Sequence, residues 1–215
     1  MSATSAPTIA PTAEPVEKVT IFVLGQRDGV SELLLLYHPN AGIQLPAGTV
    51  EVGEAAMTAV LREAQEETGL RSLVWGGMIA VEREEFPPGT GIMALPTPVY
   101  TTFDNTSASW ATLRRGLLVT VLRGANGFLQ VRYTENNRYP DPQYVTFEVT
   151  GWVPVSTVAA ARVRHFAWLT SLETTPPSWT YFADHHNFTL RWHPLDALPE
   201  LVEPQAPWLR HLPNR

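Results

Sequence analysis

Apolar residues recur along the chain with two different spacings, and each spacing predicts a type of element. Residues 18–24 and 33–37 are continuous apolar or β-branched runs, and residues 25–29 between them are rich in turn formers. Two such runs joined by a short polar segment are typical of a β-hairpin. Three later runs are also predicted to be strands: 73–82, 163–169 and 188–192.

The segment 55–68 has helical spacing instead. It contains no Gly or Pro and is rich in helix-favouring residues, and Gly69 suits its C-terminal end. At about 100° per residue, one stripe collects five residues: Met57, Val60, Leu61, Ala64 and Thr68. The nearly opposite side collects three glutamates: Glu63, Glu66 and Glu67. Two further short helices are predicted at 158–162 and 204–212.

A second hairpin is predicted in the middle of the chain. Its strands, 117–122 and 128–133, flank the dipeptide Asn126-Gly127, which supplies the positive φ angles of a tight turn. Residues 144–150 predict a third strand. This part of the chain is therefore expected to be rich in β-structure.

The composition limits the partners that the protein can have. Its net charge of -6 and sequence pI near 5.5 argue against a nucleic acid duplex, since such binding rests mainly on Lys and Arg at the phosphates. The absence of cysteine excludes disulfides and thiolate metal sites and is consistent with a cytoplasmic protein. The length of 215 residues, 44% of them hydrophobic, suits one domain with a substantial core.

The first 16 residues are dominated by Ser, Ala, Thr and Pro. They lack the basic start and continuous apolar core of a signal peptide, and they are too polar for a membrane span. We therefore predict a disordered tail over residues 1–16 and no membrane partner.

The acidic face of the helix at 55–68 requires compensation, because like charges three or four residues apart weaken a helix by about a few tenths of a kcal/mol per pair. Solvation is one explanation and a bound cation is the other. Oxygen-only ligands suit Mg²⁺, which often keeps several waters and binds substrate phosphates. Arg62 can also form a bidentate pair with a carboxylate such as Glu54, which would lock the preceding loop against the helix.

Glycines and charged residues follow a fixed spacing around this face: Gly48, Glu54, Arg62, Glu63, Glu66, Glu67, Gly69 and Leu70. The spacing resembles the Nudix box, G-x5-E-x7-R-E-U-x-E-E-x-G-U, in which U is a bulky aliphatic residue. Ala64 departs from the pattern, since the family prefers a larger aliphatic residue there. The departure concerns packing under the helix and not the charged positions.

The resemblance to the Nudix hydrolase superfamily implies an α/β fold, a Nudix α/β/α sandwich with a mixed sheet between helices. It implies a single domain over residues 17–215. The stretch from about 90 to 160 exceeds what a minimal Nudix domain needs, so we expect a β-rich insertion there.

The resemblance also implies a metal site. Members of the family use Mg²⁺, with Mn²⁺ as the alternative, and the matching ligands here are Glu63, Glu66 and Glu67. A backbone carbonyl at Gly48 or Ala47 is a further ligand, since Nudix enzymes often use one there.

The catalytic roles implied by the resemblance fall on four residues of the box. Glu63 and Glu67 are expected to be indispensable, and Glu54 and Arg62 to be mainly orienting. The general base is either Glu63 or a carboxylate from a distant loop, for which Asp184 and Asp141 are candidates.

The implied reaction is the metal-dependent hydrolysis of a diphosphate linkage, an acid anhydride, by a pyrophosphatase of this family. The expected partner is a small nucleotide, with ADP-ribose or a nucleotide sugar as the first expectation. A dinucleoside polyphosphate or a nucleoside triphosphate is the next alternative. A non-catalytic Nudix-fold ligand sensor is the third, although such modules commonly lose the carboxylates that this chain keeps.

Other polar residues allow more than one interpretation. Glu82 and Glu84 would share a strand face, either as a solvated edge or as a second metal site. His185 and His186 are candidate metal ligands. Adjacent residues of a strand point to opposite faces, however, so the two could bind one metal only if they lie in a loop.

Arginines and aromatic residues alternate through the expected insertion. The arginines are Arg114, Arg115, Arg123, Arg132 and Arg138, and the aromatic residues are Trp110, Tyr133, Tyr139 and Tyr144. They could hold a phosphate and stack a base, serve as ordinary strand residues, or form a homodimer interface.

Overall fold

The structure is a computed structural model that describes residues 9–213. This part of the chain contains one α-helix, α1 (Ala56–Thr68), and two 3₁₀ helices, Val155–Thr157 and Ala206–His211. Its strands are β1 (Val16–Arg27), β2 (Val30–His38), β3 (Gly42–Gln44), β4 (Ala47–Thr49), β5 (Leu73–Glu85), β6 (Thr90–Met93), β7 (Thr97–Tyr100), β8 (Ser109–Leu113), β9 (Leu118–Ala125), β10 (Phe128–Asn136), β11 (Val145–Pro154), β12 (Val158–Ala159), β13 (Ala161–Ser171), β14 (Ser178–Ala183) and β15 (His186–Pro194).

The chain divides into two compact units. The first, here called the box unit, comprises residues 17–82 and 138–143 and the described residues from 164 onward. The second, here called the insertion unit, comprises the described residues up to 16 together with 83–137 and 144–163. The predicted insertion thus forms most of one unit, while its short loop at 138–143 belongs to the other.

The main sheet has eight strands. Six of them follow the order β14-β15-β2-β1-β13-β5, while β3 pairs with β2 and β4 pairs with β1. The predicted first hairpin is confirmed, since β1 and β2 pair antiparallel. Its two-residue turn, Asp28-Gly29, has φ angles of 51° and 81°, which suit the twist of a hairpin. The predicted strands at 73–82, 163–169 and 188–192 are confirmed as β5, β13 and β15.

The two faces of this sheet are covered differently. Helix α1 covers one face through Val60 and Ala64, which pack in one core cluster with alternate residues of β1, β2 and β15. The other face is covered by the C-terminal segment, which contributes Trp208, Leu201 and Leu212. The α/β fold with a mixed sheet and an extra β-rich region is confirmed, but a 3₁₀ helix stands on the second face where the sandwich predicted an α-helix.

The second sheet contains seven strands in the order β12-β6-β9-β10-β11-β7-β8. The predicted hairpin is confirmed: β9 and β10 pair antiparallel around Asn126-Gly127, whose φ angles are 48° and 79°. The third predicted strand is β11. Four strands of this sheet were not predicted, because each is short or interrupted by Pro or Gly, as in Thr97–Tyr100.

Two predictions outside the box are wrong. Residues 158–162 form no helix, since Val158 and Ala159 pair with Met93 and Ile92 as strand β12. The predicted disordered tail is wrong for residues 9–16, where the Ala13 amide donates to the Val158 carbonyl at 3.0 Å. Residues 1–8 lie outside the described residues.

No helix within residues 9–213 combines the length and the apolar character that crossing a membrane requires.

Candidate active site

Strand β4 ties the loop before α1 to the main sheet. It pairs antiparallel with β1, and Gly48 lies opposite Val19. A Cβ placed on Gly48 would come within 1.8 Å of the Glu63 carboxyl carbon. Only glycine therefore leaves room for the Glu63 carboxylate to rest against this backbone.

Helix α1 is held in place at its C-terminal end. Gly69 ends it with a φ of 76° and donates its amide to the Gln65 carbonyl, as expected for a glycine at C′. The Trp179 indole of β14 donates to the Thr68 carbonyl at 3.3 Å, and the Tyr181 ring lies where a Cβ of residue 69 would be. These contacts fix the rotation of the helix and hence the direction of its glutamates.

The buried side of α1 agrees with the predicted stripe except at its start. Val60, Ala64 and Thr68 are buried, whereas Met57 is 47% exposed. The small side chain of Ala64, the departure from the Nudix pattern, is fully buried in the core beneath the helix. The prediction for Met57 was wrong, since its side chain lies outside the core cluster beneath the helix.

Arg62 joins the loop to the helix. Its guanidinium donates twice to Glu54, at 2.9 and 2.8 Å, which confirms the predicted bidentate pair. It also donates to Glu63 at 2.9 Å, to Glu66 at 3.1 Å and to the Thr49 carbonyl at 3.1 Å. Its hydrogen-bond donors are thus used within the box, which suits an orienting role.

The remaining oxygens of the two inner glutamates accept hydrogen bonds from the backbone of β4. The Thr49 amide donates to Glu63 at 3.1 Å, and the Ala47 amide donates to Glu67 at 2.9 Å. Glu66 is the outer member of the group, with 59% of its side chain exposed. The structure therefore brings together the box residues that the sequence singled out, on α1 and on the loop before it.

Burial dominates the electrostatics of the inner glutamates. It raises the pKa of Glu63, although the Arg62 charge opposes this rise. It raises the pKa of Glu67 to about 8, with the Ala47 amide opposing the rise and Glu63 and Asp184 adding to it. A buried carboxylate among like charges gains most from a nearby cation.

The donor set fits a hard divalent cation, because it consists of carboxylate and carbonyl oxygens only. Within the described ranges no three His, Asp or Glu side chains already converge as a set of metal ligands. The carboxylate oxygens of Glu63, Glu66 and Glu67 instead accept hydrogen bonds from Arg62 or from the amides of β4.

The glutamates of β5 are paired with cations. Glu82 accepts from Arg210 and lies 2.7 Å from His211, and Glu84 accepts from Arg162 at 2.7 Å. Glu84 nevertheless keeps 54% of its side chain exposed, as a solvated edge predicts, and the second metal site remains a prediction.

The turn between β14 and β15 carries Asp184 and His185, both with positive φ, 46° and 62°. His185 lies in this turn, whereas His186 pairs with Ala183 at the start of β15, and joint metal ligation by the two remains a prediction. The charge of Asp184 acts on both Glu67 and His38. Asp184 therefore lies near the box, and its role as an acid or base remains a prediction, as does that of the exposed Asp141.

His38 was missed by the sequence analysis. Its ring lies 4.6 Å from that of His186, and its Nδ1 accepts the Asn40 amide at 2.9 Å. The available signal was its position as the residue after the continuous apolar run 33–37, on the same side of β2 as Leu34 and Leu36.

One arginine of the insertion unit packs on an aromatic ring. The Arg123 guanidinium lies 5.2 Å from the centre of the Trp152 ring and donates to Gln130. Trp110 and Tyr144 are exposed. Binding of a phosphate or a base by this unit, and a homodimer interface on it, remain predictions.

Comparison with known proteins gives a family match over part of the chain. Residues 15–94 match the family model described as NUDIX domain. Among solved structures, the chain is similar to the crystal structure of C. elegans Ap4A hydrolase, with 12% identity, a TM-score of 0.39, and coverage of 85% of this chain and 83% of that one. No curated protein sequence matches the chain.

Proposed function

We propose that the chain is a Nudix pyrophosphohydrolase that cleaves its substrate in a metal-dependent reaction; the match of residues 15–94 to the NUDIX domain model supports this. The substrate class is a nucleoside diphosphate derivative, and ADP-ribose or a nucleotide sugar is the proposed member. The observation that carries the proposal is the complete box: amides of β4 donate to Glu63 and Glu67 of α1, and Arg62 joins Glu63 to Glu54.

The ligands proposed for Mg²⁺, or alternatively Mn²⁺, are Glu63, Glu66, Glu67 and the Gly48 carbonyl. When bound, such a cation neutralises phosphate charge and makes a water more acidic. The chain's own residues supply the positioning. Glu54 and Thr49 hold the Arg62 guanidinium, and through it the helix and loop keep their spacing.

A carboxylate must take the proton of the attacking water. Glu63 is the first candidate for this general base, because its carboxylate is fixed between Arg62 and the Thr49 amide. Asp184 is the alternative from a distant loop, and its charge acts on Glu67. A Glu63→Gln and an Asp184→Asn variant, compared over a Mg²⁺ titration, distinguish the two: the base is the residue whose loss abolishes turnover even at saturating Mg²⁺ while nucleotide binding persists.

The proposal is tested by phosphate release, after coupling to a phosphatase, from nucleotide sugars, ADP-ribose, dinucleoside polyphosphates and nucleoside triphosphates. Each substrate is offered with Mg²⁺ and with chelator. Turnover of ADP-ribose or a nucleotide sugar only with metal is the expected result. Preference for a dinucleoside polyphosphate or a triphosphate would replace the proposed substrate, and saturable binding without turnover of any of them would identify a ligand sensor.

A further inference from the structure

We propose that His38 binds a phosphate group of the substrate beside the box, as a neutral hydrogen-bond donor held in place by His186 and Asn40. This inference rests on the proposed function and extends it to a residue outside the Nudix box. The ligand is a phosphate oxygen of a nucleoside diphosphate derivative.

The pleat of the main sheet places both imidazoles on the side of the sheet that α1 covers. Alternate residues of a strand share a face, and Leu34 and Leu36 of β2 belong to the core beneath α1, so His38 continues that face. On β15, Phe188 belongs to the same core, so His186 continues it as well. The two rings lie where the apolar face ends.

The neighbouring turn links this histidine pair to the box. Asp184 follows β14, the strand that packs against the C-terminal end of α1 through Trp179. His38 itself pairs with Gly42 of β3. Five residues further along the chain, the Ala47 amide donates to Glu67, so the strand that follows His38 leads directly to the box.

The hydrogen bond from Asn40 fixes the tautomer of His38. A backbone amide can only donate, so the Nδ1 atom that it reaches at 2.9 Å must be the acceptor. The neutral ring then carries its proton on Nε2 and presents one N–H donor. Asn40 is itself fixed, because its carbonyl accepts the Tyr139 amide at 2.9 Å.

The packing around the ring keeps His38 both oriented and neutral. The His186 ring lies at 4.6 Å and the Phe188 ring at 5.1 Å, edge-on to the His38 ring. Burial, and then the proximity of His186, lower the pKa of His38. The ring is thus an uncharged donor with a set direction, which is the preorganisation that a binding site requires.

A phosphate oxygen is the natural acceptor for this donor. No described residue accepts a hydrogen bond from His38 Nε2, and the Arg62 guanidinium of the box donates to Glu54, Glu63, Glu66 and Thr49. The carboxylates of the box repel a phosphate unless donors and a cation offset them. His38 supplies a donor that the box itself does not have.

The test measures binding of the α,β-methylene analogue of ADP, in the presence of Mg²⁺, by calorimetry. His38→Ala removes the donor and should weaken binding about tenfold to a hundredfold, as expected for a hydrogen bond to a charged acceptor. His38→Gln places an amide nitrogen near the position of Nε2 and should restore binding to within about threefold of wild type. Binding of Mg²⁺ alone should be unchanged in both variants.

The control is His185→Asn, since His185 is a neighbouring histidine in the turn, outside the ring pair, and Asn tolerates its positive φ. Equal affinity of wild type and His38→Ala, or a His38→Gln variant as weak as His38→Ala, would overturn the proposal. If wild type binds the analogue but turns over no substrate, the proposed function is overturned, while the comparison of binding affinities between wild type and the His38 variants still tests this proposal. Wild type that binds no analogue would overturn both.

Discussion

Gly48 is the residue at which the backbone and the chemistry of the box meet most closely. The Glu63 carboxylate occupies the space of a residue-48 side chain, and the next amide, that of Thr49, donates to it. The carboxylate is thus positioned by the absence of a side chain as much as by the presence of a donor.

Gly48→Ala should therefore damage activity more than stability. Glu63 is a flexible side chain and can rotate away from the new Cβ, so we expect the free energy of unfolding to fall by no more than about 1–3 kcal/mol, the usual cost of overpacking. Turnover should fall at least about tenfold, because the displaced carboxylate leaves its position. Gly53→Ala is the comparison: its φ of 80° costs about 1–2 kcal/mol of stability, but nothing lies within 4 Å of its Cβ position, so Glu63 stays in place. Equal activity of Gly48→Ala and Gly53→Ala would contradict this role of Gly48.

Glu67 gives the stability of the metal-free protein a pH dependence. Its folded-state pKa of about 8 lies above the unfolded value of about 4.5. As the pH rises between these values the unfolded chain ionises while the folded chain keeps its proton, so this group's contribution to stability declines and levels off above pH 8.

The Glu67→Gln variant removes this decline. In chelator at pH 8 we expect it to be more stable than wild type by at least about 1 kcal/mol, the equivalent of one unit of pKa. The difference should shrink towards pH 4.5. Urea denaturation at several pH values checks this, and a constant difference across the range would show that Glu67 ionises normally in the folded protein.

At the scale of the elements, α1 shows which features of a helix a sequence specifies. Its span and its end at Gly69 follow from the absence of Gly and Pro over residues 55–68 and from the left-handed residue that closes it. The helical spacing correctly predicted that Val60, Ala64 and Thr68 are buried. It failed at Met57, because burial depends on the neighbouring elements as well as on the spacing within the helix.

Strand β14 was not predicted, although its alternating residues Trp179 and Tyr181 pack on the core. The Pro-Pro segment before it reads as a loop, and its turn to β15 uses Asp184 and His185 in place of the Asn or Gly that mark such turns. The formation of β14 therefore depends more on its contacts with β15 and α1 than on the turn residues in its own sequence.

The contact between β14 and Gly69 predicts the effect of a substitution at the end of α1. Gly69→Ala meets two costs: a positive φ, worth about 1–2 kcal/mol, and a Cβ 2.6 Å from the Tyr181 ring, worth about 1–3 kcal/mol. Gly29→Ala has a similar φ of 81° and nothing within 4 Å, so it meets only the first. Chemical denaturation should show the larger loss for Gly69→Ala, and equal losses would mean that Tyr181 yields freely.

At the scale of the whole molecule, the sequence predicts contiguous features better than convergent ones. The box was recognisable because Gly48 to Leu70 is one uninterrupted segment, and its contacts were inferable from helix geometry. The grouping of His38, Asp184 and His186 depends on strands β2, β14 and β15, which pair across the sheet. The spacing of residues within one segment cannot predict a contact between residues of different strands.

The insertion illustrates the same limit. The Asn126-Gly127 turn was enough to predict β9 and β10, because a hairpin is local. The short strands around Thr97–Tyr100 exist only through their partners β8 and β11. Residues 9–16 likewise owe their order to the backbone of Val155 and Val158, which a composition rich in Ser, Thr and Pro does not reveal.

The central claim is that the glutamates of α1 carry a metal-dependent hydrolysis. The most direct measurement is the initial rate of wild type and Glu67→Gln as Mg²⁺ is titrated on the best substrate of the panel, with folding checked by circular dichroism. The account predicts saturable dependence on Mg²⁺ for wild type and a loss of more than about a hundredfold for Glu67→Gln, since even outer-sphere partners of a metal cost about ten- to a hundredfold. A folded Glu67→Gln variant with full Mg²⁺-dependent turnover would contradict it.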